Sequence, residues 1–144
     1  MIQFFVEDIS FDLQPLKLIP DWISWVAQEH AKVIAHIDYV FCSDEYLLQI
    51  NQQYLAHDYY TDIITFDNRD NSNQPIESDI FISVERVQEN AHQINVEFFH
   101  ELLRVIVHGL LHLLGFDDHT QSSKEQMRYL EDEHVSSYFQ QFHI

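Results

Sequence analysis

His108 and His112 stand four residues apart inside Val105-Ile-Val-His-Gly-Leu-Leu-His-Leu-Leu114, an apolar run. On a helix that interval puts both imidazoles on one face, one turn apart. Two imidazoles so placed can grip one metal ion, as they do in H-E-x-x-H zinc enzymes. A polar pair on an apolar, buried helix needs a reason, because an unsatisfied buried polar group costs about 1–3 kcal/mol. An ion supplies one. The spacing alone also fits two ordinary core histidines, and the surrounding residues tip the balance. Beyond the helix the chain offers Asp117, Asp118 and His119, which can return a third ligand to the same ion. Three protein ligands with an open position make a catalytic arrangement, whereas structural zinc sites close with four. Residue 109 is glycine, so the general base of H-E-x-x-H is missing and a protease is disfavoured.

The glycines mark the same place. The chain has only two, Gly109 and Gly115, where average usage of about 7% predicts roughly ten. Gly109 costs a helix roughly 1 kcal/mol relative to Ala, so a close backbone approach is expected there. Gly115 falls where a left-handed C′ residue ends the helix. Ten histidines in 144 residues add to the metal reading. The one cysteine, Cys42, excludes a zinc finger and an internal disulfide, fits a reducing compartment, and reads as a core residue.

The elements that must position these residues follow from periodicity. Ile2–Glu7 reads as a strand. Pro20 opens a helix running from Trp22 to about Ala35. Asp38–Ser43 is a buried strand, and Ser43 is placed to cap a helix through Asp44–Tyr54. Asp62–Phe66 and Asp79–Val84 are strands, separated by a polar loop over Asn68–Pro75. A helix spans Glu85–His92. Asn95 is expected to cap the long helix Val96–Leu114, and Ser122 or Ser123 to start a last helix reaching about Phe139. Phe98, Phe99, Tyr138, Phe139 and Phe142 read as packing aromatics. The order predicts an α+β fold: one domain over residues 1–144, with a four-stranded mixed sheet packed on about five helices and a central, buried, metal-bearing helix.

Seven Lys+Arg against 24 Asp+Glu give a formal charge of −17. That argues against a generic nucleic-acid binder, because phosphate contacts need Lys and Arg. The longest apolar stretch, Leu102–Leu114, carries Arg104, His108 and His112. It is too short and too polar to span a bilayer, which takes about 20 residues. The opening Met1-Ile-Gln-Phe-Phe-Val lacks the marks of a secretory signal, so a cytoplasmic protein without membrane attachment is expected.

His108-Gly-Leu-Leu-His112-Leu-Leu-Gly115-Phe-Asp resembles the signature H-G-x-x-H-L-x-G-[YF]-D-H of the YbeY family. Ile50-Asn51-Gln-Gln-Tyr54-Leu-Ala-His-Asp58-Tyr-Tyr-Thr61-Asp62-Ile-Ile-Thr-Phe66 is similar to that family's L-N-x-x-Y-R-x-x-D-x-x-T-D-V-L-S-F. Ser78-Asp79-Ile80-Phe-Ile82-Ser83 resembles its G-D-I-x-I-S, and Met127-Arg-Tyr-Leu-Glu131-Asp132-Glu133 its final helix. The resemblance implies a metal-dependent, single-strand-specific endoribonuclease acting in rRNA maturation and ribosome quality control. It implies one zinc ion per chain, with His108, His112 and Asp118 as ligands. His108, His112 and Asp62 are then the catalytic candidates, and Asn51, Asp58 and Thr61 the substrate-binding ones. Asp58 and Asp62 also have a plain reading as turn-capping aspartates bracketing a strand start, and Asn51 as an asparagine late in a helix that binds backbone. The implied partners are a single-stranded rRNA precursor and ribosomal proteins.

Two positions depart from the pattern. The family's third histidine stands six residues after the second, which is Asp118 here, with His119 one later. Ungapped alignment favours Asp118, whose carboxylate is an acceptable zinc ligand; a one-residue insertion would deliver His119. The family's arginine after the tyrosine is Leu55, and His57 is the nearest residue able to carry positive charge. Leu55 and the acidity support an alternative, a ribosome-assembly binding protein with a structural or vestigial metal and little nuclease activity.

Overall fold

Strand β1 (Ile2–Val6) pairs in parallel with β2 (Ile34–Cys42), so the chain must cross over between them, and helix α1 (Ile19–Glu29) makes the crossing. This computed structural model describes residues 1–142. Helix α1 starts at Ile19 with Pro20 in its first turn, and stops at Glu29 rather than near Ala35. The amides of Ala31 and Lys32 fold back onto the carbonyls of Gln28 and Ala27, with Ala31 left-handed at φ 58°. The β-branched Val33 and Ile34 then lead into β2.

Helix α2 (Asp44–Leu55) is capped by Ser43, whose Oγ accepts from the Tyr46 amide at 3.1 Å. Strand β3 (Ile63–Asp67) runs antiparallel to β4 (Ile76–Ser83), and the polar loop joins them. Since β4 also pairs in parallel with β2, the sheet is mixed, in the order β1-β2-β4-β3. Ser83 caps α3 (Val84–Gln93), its Oγ accepting from Arg86 N. Helix α4 (Phe98–Leu113) takes Glu97 as its N-cap rather than Asn95. Asn95 is instead a left-handed turn residue, φ 58°, a conformation its short polar side chain tolerates. Helix α5 (Gln121–Ser137) begins earlier than Ser122, because Thr120 and Ser123 cap each other's backbone. It continues as a π-turn over Tyr138–Phe142.

Alternation along the strands divides the core. Ile37, Tyr39 and Phe41 of β2 join Ile76, Ile80 and Ile82 of β4, Trp22, Ile23 and Val26 of α1, and the apolar side of α4. On the other sheet face, Cys42 and Ile64 pack with Leu47 of α2 in a smaller cluster. Helix α4 lies close against β3 and β4. A Cβ at Gly109 would come within 2.9 Å of Ile63 Cδ1 and 3.1 Å of Thr65 Oγ1, so glycine is what lets this helix sit that near. Its contact with the sheet fixes the height of His108 and His112 above the strand edge. Among the described residues no helix is long and apolar enough to cross a membrane.

Candidate metal centre and its cleft

Glu101, Arg104, His108 and His112 follow one another at intervals of three, four and four, one polar stripe along an otherwise buried α4. At the far end of the helix Gly115 adopts φ 104°, and the chain turns back so that Asp118 approaches the stripe. Nε2 of His108 lies 3.0 Å from Nε2 of His112, and Asp118 Oδ2 lies 3.7 and 3.8 Å from those two atoms. These three residues can offer one ligand atom each to a single ion. His119 stays outside the cluster, and its amide donates to Asp117 Oδ1.

The stripe also sets the proton positions. Nδ1 of His108 donates to Glu131 Oε2 of α5 at 2.5 Å, which leaves Nε2 bare and aimed at the cluster. Glu131 and Glu101 are both buried, and Arg104 joins them, reaching Glu131 Oε1 at 3.0 Å and Glu101 through Nε and Nη2. Burial alone would push the Glu131 carboxyl up; the hydrogen bond from His108 and the Arg104 charge outweigh it and hold the group below its ordinary value. His112 is pushed down from the ordinary histidine value, first by burial and then by its neighbour His108. Imidazole nitrogens together with a carboxylate oxygen are the donor set that a divalent cation takes.

A cleft of about 550 Å³ opens beside the cluster, lined by His108, His112 and Asp118 together with Asn51, Leu55, Thr61 and Asp62. Asp62 is raised above the ordinary carboxylate range, chiefly by burial, with the Arg104 charge opposing; its Oδ2 accepts from Asn90 Nδ2 at 3.2 Å. Asn51 is buried, and its Nδ2 donates to the Tyr59 carbonyl at 2.9 Å, tying the loop after α2 to the cleft wall. His57 and Tyr59, both also in the lining, stack on each other at 5.1 Å. Asp58 does not line this cleft. It is exposed, and its carboxylate accepts from Gln52 Nε2. Asp79 likewise is not in the lining and accepts from Asn68. Leu55 is in the lining, so the position without an arginine does face the site. A larger groove of about 1100 Å³, walled by Leu18, Phe98 and Phe99, holds none of the clustered ligands.

Sequence reasoning missed Glu131, Arg104 and Glu101 as parts of the site. The available sign was the stripe itself, since a buried Glu and Arg one turn from a histidine must find partners.

A mixed four-stranded sheet, a central helix and a His–His–carboxylate cluster at a cleft define a small α+β protein with a metal-type site. Residues 2–139 match the YbeY family, described as endoribonuclease YbeY. Endoribonuclease YbeY of Cytophaga hutchinsonii is 48% identical over 135 residues, 94% of this chain and 94% of that one. The protein of the same name from Flavobacterium johnsoniae is 44% identical over 138 residues, 96% of this chain and 97% of its own. A protein from Thermotoga maritima, solved in solution, shares the fold with a TM-score of 0.72 over 99% of this chain and 91% of that one, at 24% identity. The chain belongs to the YbeY family.

Proposed function

We propose that this protein is a zinc-dependent endoribonuclease that cleaves single-stranded RNA during rRNA maturation and ribosome quality control. The observation that carries the reading is the convergence of His108 Nε2, His112 Nε2 and Asp118 Oδ2 at a cleft, in a chain whose close relatives bear the name endoribonuclease. One ion per chain fits this donor set. Three ligands and an adjoining cleft keep a coordination position open, which favours a catalytic site over the structural one of an assembly protein.

A bound zinc ion supplies a Lewis acid for the phosphoryl group and water acidified to a pKa near about 7. The chain does the rest. Glu131 holds His108 in the tautomer that presents Nε2, and that hydrogen bond together with the Arg104 charge holds the Glu131 carboxyl below its ordinary value. Asp62, with its raised pKa, is placed in the cleft to take a proton from the attacking water and return it to the ribose oxygen that leaves phosphorus. Thr61 lines the substrate side, and Asn51 fixes the loop that forms it. Asp58 lies outside this cleft, its carboxylate accepting from Gln52 on α2. The reading places the protein in the cytoplasm, where rRNA precursors are processed, and its acidic surface suits basic ribosomal proteins as partners.

The test is to strip the purified protein with a chelator, return one equivalent of zinc, and assay single-stranded and duplex RNA. Cleavage should vanish on stripping, return with zinc and spare the duplex. Undiminished cleavage by ion-free protein would contradict the reading.

A further inference from the structure

An acidic nuclease must hold a polyanion, and the chain's seven cationic side chains are unevenly available for it. Arg69 is engaged by Asp67 at 2.8 Å and Arg86 by Asp44 at 2.7 Å. Arg104 spends its fork on Glu101 and Glu131. Among the described residues Lys17, Lys32, Lys124 and Arg128 make no ion pair, and only the last two lie near the cluster. Lys17 lines the large groove elsewhere, and Lys32 sits in the turn between α1 and β2.

Lys124 and Arg128 are exposed, one turn apart on α5. They line a second groove of about 510 Å³ with Gln121, Glu125, His108 and Asp118. His108 and Asp118 also line the first cleft, so the two grooves meet at the cluster. Of the groove's three carboxylates, Glu125 is engaged by Gln121 Nε2 at 3.1 Å, Glu131 by Arg104 and His108, and Asp118 belongs to the cluster. One side of the cluster therefore presents the stacked His57–Tyr59 pair and the uncharged Leu55. The other presents two unpaired cations.

We propose that the α5 groove is a nucleic-acid phosphate site, in which Lys124 and Arg128 bind backbone phosphates of the strand next to the one at the metal centre. This rests on the endoribonuclease reading and extends it. The phosphate contact that position 55 cannot make is made instead across the cluster, from α5. Lys and Arg contacts of this kind carry no sequence preference and are salt-sensitive.

The test compares wild type, Lys124→Ala/Arg128→Ala and Lys17→Ala/Lys32→Ala, all zinc-loaded. The probe is a labelled single-stranded DNA oligonucleotide, which keeps the phosphates and denies a ribonuclease its substrate. Each single-strand phosphate contact contributes about 0.7 to the log–log salt slope, so the α5 double variant should have a slope shallower by about 1.4. The remote double variant should match wild type. With single-stranded RNA, KM should rise in the α5 variant while kcat, zinc content and melting temperature hold. An unchanged slope in a folded α5 variant, with wild type cleaving RNA, overturns the groove and leaves the nuclease standing. Binding that depends on Lys124 and Arg128 without any RNA cleavage supports the groove and overturns the nuclease. Wild type that neither binds nor cleaves overturns both.

Discussion

Glu131 is not among the clustered ligands, yet its carboxylate decides which nitrogen of His108 carries the proton. Glu131→Gln removes the anionic acceptor and leaves Arg104 with one buried carboxylate fewer. Loss of such an outer partner typically costs 10–100-fold in metal affinity, so about that loss is expected here, with full occupancy regained at high zinc. Competition with a chromophoric chelator measures it; an unchanged affinity would mean that the hydrogen bond does not tune the site. The third ligand gives a second prediction. Asp118→Ala should abolish tight zinc binding and His119→Ala should leave it intact, since only Asp118 reaches the two imidazoles. The reverse ranking, read by the same competition, would move the ligand to His119. The histidine pair was legible in the sequence because helical spacing is a local property, whereas the choice of Asp118 over His119 came from the family's six-residue interval. Glu131 was not legible, because its contact with His108 spans 23 residues and depends on how α5 docks on α4.

At the scale of elements, α1 and α5 are joined by a second histidine pair, His30 and His134, whose Nε2 atoms lie 3.0 Å apart. His134 is buried and pushed down to about 4, by burial first and then by His30. The unfolded chain, with an ordinary value near 6.5, binds that proton more readily than the folded one. The pair's contribution to stability is therefore whole above about pH 6.5 and is lost as pH falls towards about 4. His134→Gln keeps a polar partner for His30 and removes the titration. Its melting temperature should fall less than that of wild type between about pH 6.5 and about pH 4.5, and parallel curves would place the acid sensitivity elsewhere. The strands, the five helices and the Ser43 cap were readable from alternation, periodicity and turn chemistry. The overrun of α1 and the Asn95 cap were misread because both ends are set by left-handed residues that are not glycine, Ala31 and Asn95. Composition does not announce such residues.

At the scale of the molecule, one sheet and one buried helix bring together residues from α2, β3, α4, the turn after it and α5. The α+β class and the sheet's mixed character followed from element order, but which strand edge the cluster overlooks depends on the β1-β2-β4-β3 order and on Gly109. In a chain at −17, two of the four cations without an ion pair among the described residues, Lys124 and Arg128, lie beside the cluster. If this cluster binds the ion that makes the protein a ribonuclease, metal and cleavage must be lost together. The most direct test measures zinc content and single-stranded RNA cleavage in the same preparations of wild type and His112→Ala, after a thermal melt has shown both to be folded. One ion per wild-type chain is expected together with cleavage, and the loss of both in the variant. A folded His112→Ala protein that has lost its zinc and still cleaves RNA at the wild-type rate would contradict that linkage.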